Sequence, residues 1–248
     1  MPILDDLRKL IEDLGSAEKA KHLQRFFKTG PGQYGHGDKF RGINVPPLRA
    51  LARQYASGIS LSNCCELLHS PYHEDRMIAL FILVEQFRNG ECDLQQKIYE
   101  LYLANLCHVN NWDLVDLSCY HIVGKYLADK ERKDLYHLAE RGNGESGLKS
   151  YQQKDLWANR VAIISTFAFI RNSDFDDTLA LAKILLDNKH DLIHKAVGWM
   201  LREVGKRDLA VEENYLQEYY KNMPRTMLRY AIEKFEPARR QQYLKGMI

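Results

Sequence analysis

The sequence predicts an all-α protein. Apolar residues recur with the helical period along nearly the whole chain, residues typical of helix ends separate these segments, and no segment has the pattern of a strand. A last short helix is expected after Pro237. The other helices are predicted at about 3–14, 17–28, 46–56, 61–69, 73–89, 92–106, 112–128, 131–141, 153–171, 175–187, 190–206, 211–222 and 225–235.

The breaks between these segments carry residues that suit helix ends. Pro46 and Pro47 fit the first turn of the third helix, where a backbone N–H needs no partner. Asn110 or Asn111 can cap the predicted helix that contains Trp112, because an Asn side-chain oxygen accepts hydrogen bonds from the first backbone N–H groups of a helix. The run "RGNGESG" at 141–147 is rich in glycine and is therefore predicted to be a loop.

The helices are predicted to come in pairs. In several pairs the second helix has a cation or Trp followed by an apolar run. The runs are "RMIALFILV" from Arg76, "WDLVDLSCYHIVG" from Trp112, "RVAIISTFAFI" from Arg160, "KAVGWMLREVG" from Lys195 and "RTMLRYAIEKF" from Arg225. Their spacing of roughly 35–45 residues is typical of HEAT-type repeats. The pattern therefore predicts one domain over residues 1–248, a curved solenoid of HEAT-like helical pairs (an α-α superhelix). An irregular all-α bundle is the alternative.

One segment departs from the helical pattern. "TGPGQYGHGDKFRGINVPPLR" at 29–49 is rich in Gly and Pro, so we expect a surface loop at about 29–47. Its glycines could bring backbone N–H groups near a phosphate, but they match neither a P-loop nor GxGxxG. A connector with a few cations and a binding loop both remain open.

The composition limits the function classes. The formal net charge of +2 does not mark a nucleic-acid-binding protein, so any basic surface must be local. No apolar run is long enough to span a bilayer, and the amphipathic N-terminus is unlike a signal peptide. The cysteines show no zinc spacing and are expected to be reduced thiols in a cytoplasmic protein: Cys64, Cys65, Cys92, Cys107 and Cys119.

The helix at 190–206 has two distinct faces. One face is apolar, whereas Lys195, Trp199, Arg202 and Lys206 recur at i, i+4, i+7 and i+11 on another. A solvated face explains the cations alone, since lysines extend along a helix surface into water. An indole among cations also suits contact with phosphate and with a base or sugar. Both interpretations remain open from the residues alone.

Arg160 interrupts an apolar helix. It is the only cation between Lys154 and Arg171, so it needs either an anionic partner or an open groove. An ion pair between repeats and a binding role are both compatible with this position.

Trp112 and Asp116 are four residues apart and are therefore expected on one face of a helix. A carboxylate beside an indole is either a structural partner for an Arg or a functional group in a cleft. Asp113 is a weaker candidate because an acid in the first turn also favours the helix dipole.

Other catalytic arrangements find no support. The chain has no GxSxG and no interpretable Cys–His pair. His190 and His194 are four residues apart, but no third ligand is evident, so no metal site and no cofactor are predicted.

Together, "NNWDLVDLS", "LWANRVAI" and "KAVGWMLREVGK" resemble motifs of the HEAT-like-repeat DNA alkylation repair glycosylases of the AlkD type. The resemblance covers most of the chain, to about residue 235. It implies a catalytic role for Asp116 with Trp112 and Trp199 beside it, the three meeting in one basic trough. It places the other predicted DNA-binding residues at Arg160, Lys195, Arg202, Lys206, Asn44 and Phe26.

The resemblance also implies an activity. Its substrate would be double-stranded DNA carrying N3- or N7-alkylated purines, whose glycosidic bonds would be hydrolysed. Such a base is already cationic, so it needs no protonation to leave, and one ionised carboxylate at Asp116 could stabilise the developing sugar cation. The indoles would add cation–π contacts, and the basic residues would hold phosphates. Nothing in the sequence demands more than a monomer, and no cofactor is expected.

Some features depart from the family pattern. Phe26 stands where family members can have Tyr, Asn44 stands where a Gln can occur, and the insert at 30–41 is longer than in the shortest members. A non-catalytic DNA-binding member is therefore one alternative, and a HEAT-type scaffold for protein partners is another.

Overall fold

The computed structural model describes residues 2–141 and 153–248, and the fold of these residues is all-α. Of the predicted loop at 141–147, all but the first residue lie outside the described part of the chain. The α-helices are α1 (Pro2–Asp13), α2 (Ala17–Phe26), α3 (Val45–Tyr55), α4 (Leu61–Leu68), α5 (His73–Asn89), α6 (Cys92–Ala104), α7 (Trp112–Asp116), α8 (Lys133–Glu140), α9 (Gln153–Ser165), α10 (Phe167–Ile170), α11 (Asp176–Ile184), α12 (Asp191–Gly205), α13 (Leu209–Tyr219), α14 (Arg225–Ala231) and α15 (Pro237–Lys245).

Short non-α turns complete the helical structure. In the described part of the chain they are two 3₁₀ helices at Leu106–His108 and Ile232–Lys234, and a π-helix at Tyr120–Gly124. Among the described residues no β-strand forms, and an isolated bridge joins Lys39 to Tyr72. No helix in this part of the chain combines the length and the apolar content that a membrane span requires.

The chain divides into two compact units, Met1–Ile122 and Val123–Ile248. In the first unit, α5 is the central helix: α3, α4 and α6 pack against it, and every residue from His73 to Leu83 is buried. In the second unit, α12 has the same position, with α9, α13 and α14 packed around it. A Cβ atom at Gly198 would lie 2.4 Å from the carbonyl oxygen of Met227, so α12 and α14 approach closely because this position is Gly.

The helix predicted at 112–128 is shorter and less regular than expected. Helix α7 ends at Asp116, and the π-helix follows after a turn. The hydroxyl of Ser118 donates to the carbonyl oxygen of Leu114 at 2.5 Å and lies 3.0 Å from the hydroxyl of Tyr102. Such a side-chain bond competes with the regular helical ladder, which explains the interruption.

Candidate functional site

Trp112 begins α7 and is fixed at its backbone by a cap. The side-chain oxygen of Asn111, a fully buried residue, accepts the N–H of Trp112 at 2.8 Å. Trp112 and Asp116 are both half-buried, so each side chain is partly open to solvent. They stand one helical turn apart, as the sequence predicts.

One side of the Trp112 indole is covered by an aromatic stack. Phe27 lies almost parallel to it, with ring centroids 5.3 Å apart and an interplanar angle of 28°. Phe40 continues the stack at 5.2 Å from Phe27. Phe26 meets the indole edge-on at 6.1 Å and is 56% exposed, whereas Phe27 is 6% exposed. The stack therefore holds the indole from one side, and Phe26 forms its solvent-facing border.

His73 closes the inner end of this stack. Its ring is 5.1 Å from that of Phe27 and 4.7 Å from that of Phe40, and it is 2% exposed. Its Nε2 donates to Oδ2 of Asp113 at 2.9 Å, and its Nδ1 forms a longer ion pair with Asp38 at 3.6 Å. A buried imidazole thus contacts both the aromatic stack and the residue that follows Trp112.

The carboxylates around His73 keep it charged. Burial lowers the pKa of His73, but the charge and hydrogen bond of Asp113, together with Asp38, outweigh burial and raise this pKa to about 9. Burial likewise opposes ionisation of Asp38, whereas His73 and Arg76 bring its pKa below the ordinary value. At neutral pH His73 is therefore an imidazolium, which lies between Asp113 and Asp38.

The neighbours of His73 attach the segment that precedes α3 to the start of α5. Glu74 accepts the N–H groups of Arg41, Gly42 and Ile43 through its two carboxylate oxygens. Asp75 binds the guanidinium of Arg41 at 2.7 and 3.0 Å. Arg76 pairs with Asp38 at 2.8 Å. The Gly-rich segment is therefore an ordered part of the unit, held by four consecutive charged residues.

Asp116 stands at the C-terminal end of α7. Burial raises the pKa of the Tyr102 hydroxyl, and Cys119 and Asp116 add to this shift. Asn44, another predicted site residue of this unit, is exposed at the N-cap of α3, and its side chain makes no capping hydrogen bond.

In the second unit, Trp199 lies in the middle of α12 and is half-buried. Its Nε1–H donates to Oε1 of Glu203 at 3.2 Å, one turn further along the same helix. Phe167 approaches the indole at 6.2 Å with an interplanar angle of 38°. The orientation of Trp199 therefore depends mainly on its own helix.

The predicted cationic face of α12 is paired with carboxylates. Lys195 binds Asp191 at 2.7 Å, Lys206 binds Glu203 at 2.6 Å, and Arg202 forms an ion pair with Glu233. The charge that this face presents to a ligand is therefore smaller than the sequence suggests.

Arg160 is 5% exposed and donates through its guanidinium to the backbone carbonyl of Leu192. Its side chain thus joins α9 to the first turn of α12, and a contact with phosphate stays a prediction.

The two histidines weighed as metal ligands have structural partners. His190 caps α12 by accepting the N–H of Leu192 at 3.1 Å, and the ring of His194 binds the carbonyl of Asn188. Within the described residues, no group of three or more His, Cys, Asp or Glu side chains is arranged to hold a metal ion.

Comparison with known proteins identifies the family. The sequence model described as "DNA alkylation repair enzyme" matches residues 7–235, most of the chain. The protein belongs to this family. Its fold is similar to a solved structure described as "Predicted DNA alkylation repair enzyme from Enterococcus faecalis", with a TM-score of 0.65, 16% identity, and coverage of 90% of this chain and 97% of that one. No curated protein sequence matches significantly.

In this alkylation repair family member, sequence reasoning missed three residues that position the two indoles: Phe27, His73 and Glu203. A signal existed for His73, since "HEDR" at 73–76 puts four ionisable residues directly before the apolar run "MIALFILV". Such residues at the start of a buried helix need partners. For Phe27, the sequence offered two adjacent Phe residues and no means of telling which one is buried.

Proposed function

We propose that this family member is a DNA N-glycosylase that hydrolyses the glycosidic bond of N3- and N7-alkylated purines in double-stranded DNA. The observation that carries the proposal is the pair formed by Trp112 and Asp116. Both residues are half-buried and lie one turn apart on the short helix α7, and Phe27 packs against the indole of Trp112. A sugar placed against this helix would meet an aromatic surface and a carboxylate together.

The chemistry needs few groups because the leaving base is already cationic. When the C1′–N9 bond breaks, its electron pair stays with the base and neutralises the positive charge. The sugar becomes an oxocarbenium ion, which ionised Asp116 stabilises and Trp112 contacts through its π face. Water then adds at C1′ and loses a proton to the carboxylate or to solvent. Ordinary glycoside hydrolysis requires a second carboxylic acid to protonate its leaving group, and this reaction does not.

The remaining predicted residues have supporting roles in this proposal. Trp199 is a further aromatic contact for the sugar. Lys195, Arg202, Lys206 and Arg160 are contacts for the phosphates, and Asn44 and Phe26 are contacts for the duplex.

The test is the release of 7-methylguanine from methylated duplex DNA by the wild type and by Asp116→Asn. We expect the variant to release base on the order of 10²-fold more slowly, because the sugar cation loses its counter-charge. Asp93→Asn is the matched control, since Asp93 is an exposed acid in the first turn of α6. It should retain the wild-type rate. Equal rates for wild type and Asp116→Asn would remove Asp116 from the mechanism.

The same experiment separates the competing functions. A wild type that binds DNA but releases no base would be a non-catalytic DNA-binding protein. A wild type without affinity for DNA would favour a scaffold whose surface binds a peptide or a partner helix.

A further inference from the structure

Helix α2 and the two residues after it carry a concentrated positive charge. The stretch "AEKAKHLQRFFK" at 17–28 contains four Lys or Arg residues and one acid, a formal charge of +3, whereas the whole chain has +2. The four cations are Lys19, Lys21, Arg25 and Lys28, and all are exposed. None of the residues of α2 is buried. The charge of this helix is therefore presented to solvent.

Three of these cations have no carboxylate partner among the residues that the structure describes. Lys21 and Arg25 are four residues apart on one face of α2, and Lys28 follows the C-cap residue with a positive φ of 52°. Within residues 2–141 and 153–248, none of them forms an ion pair. An approaching anion would therefore displace only water and small counterions from them.

The cations of α12 differ in this respect. Lys195, Arg202 and Lys206 are each bound to a carboxylate, so a phosphate must displace that carboxylate before it can bind. Binding of DNA to unpaired cations releases condensed counterions, which is the main source of non-specific affinity. The unpaired face of α2 is thus the more favourable phosphate site.

The position of α2 connects this face to the proposed site. Phe26, the last residue of α2, is 6.1 Å from Trp112, ring to ring. From Lys21 to Phe26 the helix advances about 7.5 Å, which is about two nucleotide steps of B-DNA along its axis. A strand whose sugar lies at Trp112 would have neighbouring phosphates within reach of this helix.

We propose that the exposed face of α2 and the residue after its C-cap, through Lys21, Arg25 and Lys28, bind the phosphate backbone of the DNA beside the base that is released. This inference rests on the proposed function for its ligand, a nucleic-acid duplex. It assigns the dominant phosphate contacts to α2 and Lys28, whereas the sequence motifs assign them to α12 and to Arg160 of α9.

The test is the salt dependence of duplex DNA binding by the full chain. The dissociation constant is measured between about 50 and 200 mM NaCl for the wild type and for the triple variant Lys21→Gln, Arg25→Gln and Lys28→Gln. We expect the slope of log K against log salt concentration to become shallower by about 2.7, because each lost phosphate contact removes about 0.9. All three residues are exposed, so the fold should be retained, which circular dichroism checks.

Two further triple variants give the comparison. The control, Arg53→Gln, Lys97→Gln and Lys245→Gln, removes the same charge from exposed positions elsewhere and should leave the slope unchanged. Lys195→Gln, Arg202→Gln and Lys206→Gln should change the slope less than the α2 variant. An unchanged slope in the α2 variant, an equal change in the control, or a larger change in the α12 variant would overturn the inference.

The test of α2 can fail independently of the test of base release. A wild type that binds DNA without releasing base would contradict the glycosylase proposal, yet the salt slopes would still test α2. A wild type that releases base while the α2 variant keeps its slope would contradict the inference alone.

Discussion

Trp112 and Trp199 differ in the residues that hold their indoles: those around Trp112 are distant in the sequence, whereas Trp199 is held mainly by a residue of its own helix. Trp112 belongs to a helix of five residues and is held by Phe27 and by the pair formed between His73 and Asp113. Trp199 lies within a helix of 15 residues, and its indole N–H binds Glu203 one turn away. One indole thus depends on long-range packing, and the other depends on a regular helix.

This difference shows which indole is the more sensitive to mutation. A single helical turn is not stable alone, since nucleation of a helix is unfavourable, so α7 exists because other elements hold it. Helix α12 has enough residues and enough buried surface to form with its neighbours whether or not Trp199 has its hydrogen bond. We therefore expect changes around Trp112 to have larger effects than equivalent changes around Trp199.

The largest contrast is expected for the aromatic neighbours of the two indoles. Phe27→Ala should lower the free energy of unfolding by about 3–5 kcal/mol, because it leaves a cavity in a buried stack. Phe167→Ala, the matched change beside Trp199, should cost about 1 kcal/mol because Phe167 is half-buried and further from its indole. Urea unfolding measures both. Equal losses would contradict the distinction between the two regions.

His73→Gln should be the next most damaging change. It leaves Asp113 buried without its cation and Asp38 with Arg76 alone, a loss of about 3 kcal/mol. Because the folded-state pKa of His73 is raised to about 9, its contribution is fully present below about pH 6.5 and is lost as the pH rises through about 9. Unfolding measured from pH 6 to 9.5 should show this decline in the wild type and a smaller one in the variant. His22→Gln, at an exposed position of α2, should behave like the wild type.

The second unit contains a buried titrating group of its own. Burial raises the pKa of Glu212 to about 9, and the nearby charge of Glu213 adds to this, whereas Arg202 opposes it. The folded protein therefore keeps Glu212 protonated at neutral pH, and its contribution to stability falls as the pH rises from about 4.5 to 9. Glu212→Gln should reduce the slope of unfolding free energy against pH by about 1 kcal/mol per pH unit between pH 5 and 8. An unaltered slope would mean that Glu212 is ionised in the folded state.

The smallest effect on stability is expected at Glu203. Glu203→Gln should cost less than about 1 kcal/mol, since Gln can still accept from the Trp199 indole and the lost ion pairs are partly exposed. The same change frees Lys206 and Arg207, so the slope of DNA binding against salt should become steeper by up to about 1. A binding titration measures it. A shallower slope would show that the Glu203 carboxylate does not limit the binding of phosphates to Lys206 and Arg207.

The sequence predicted the helices where the determining signals are local. The segment at 73–89 matches α5 at both ends, and the segment at 46–56 differs from α3 by one residue at each end. Prolines in a first turn and apolar periodicity act over a few residues, so they can be interpreted without knowledge of the fold. The all-α fold was predicted on the same basis, whereas the repair family was predicted from the resemblance of three motifs to those of a known family.

The sequence could not predict the contacts that define the surroundings of Trp112. The end of α7 at Asp116 depends on where the Ser118 hydroxyl finds an acceptor, and periodicity does not report this. The stack on Trp112 joins residues that are far apart in the chain, as does the pair between His73 and Asp113. Likewise, the sequence alone does not show whether the cations of a helix face are bound to carboxylates, as on α12, or have no such partner among the described residues, as on α2.

The most direct test of the central claim compares two leaving groups in single-turnover base release. Duplexes carrying one 7-methylguanine, which is cationic, or one 1,N6-ethenoadenine, which is neutral, are incubated with excess protein. We predict release of 7-methylguanine that depends on Asp116, and no measurable release of the neutral base, because no acid is assigned to protonate it. Release of both bases at similar rates would contradict a mechanism in which a single carboxylate stabilises the sugar while a cationic base departs.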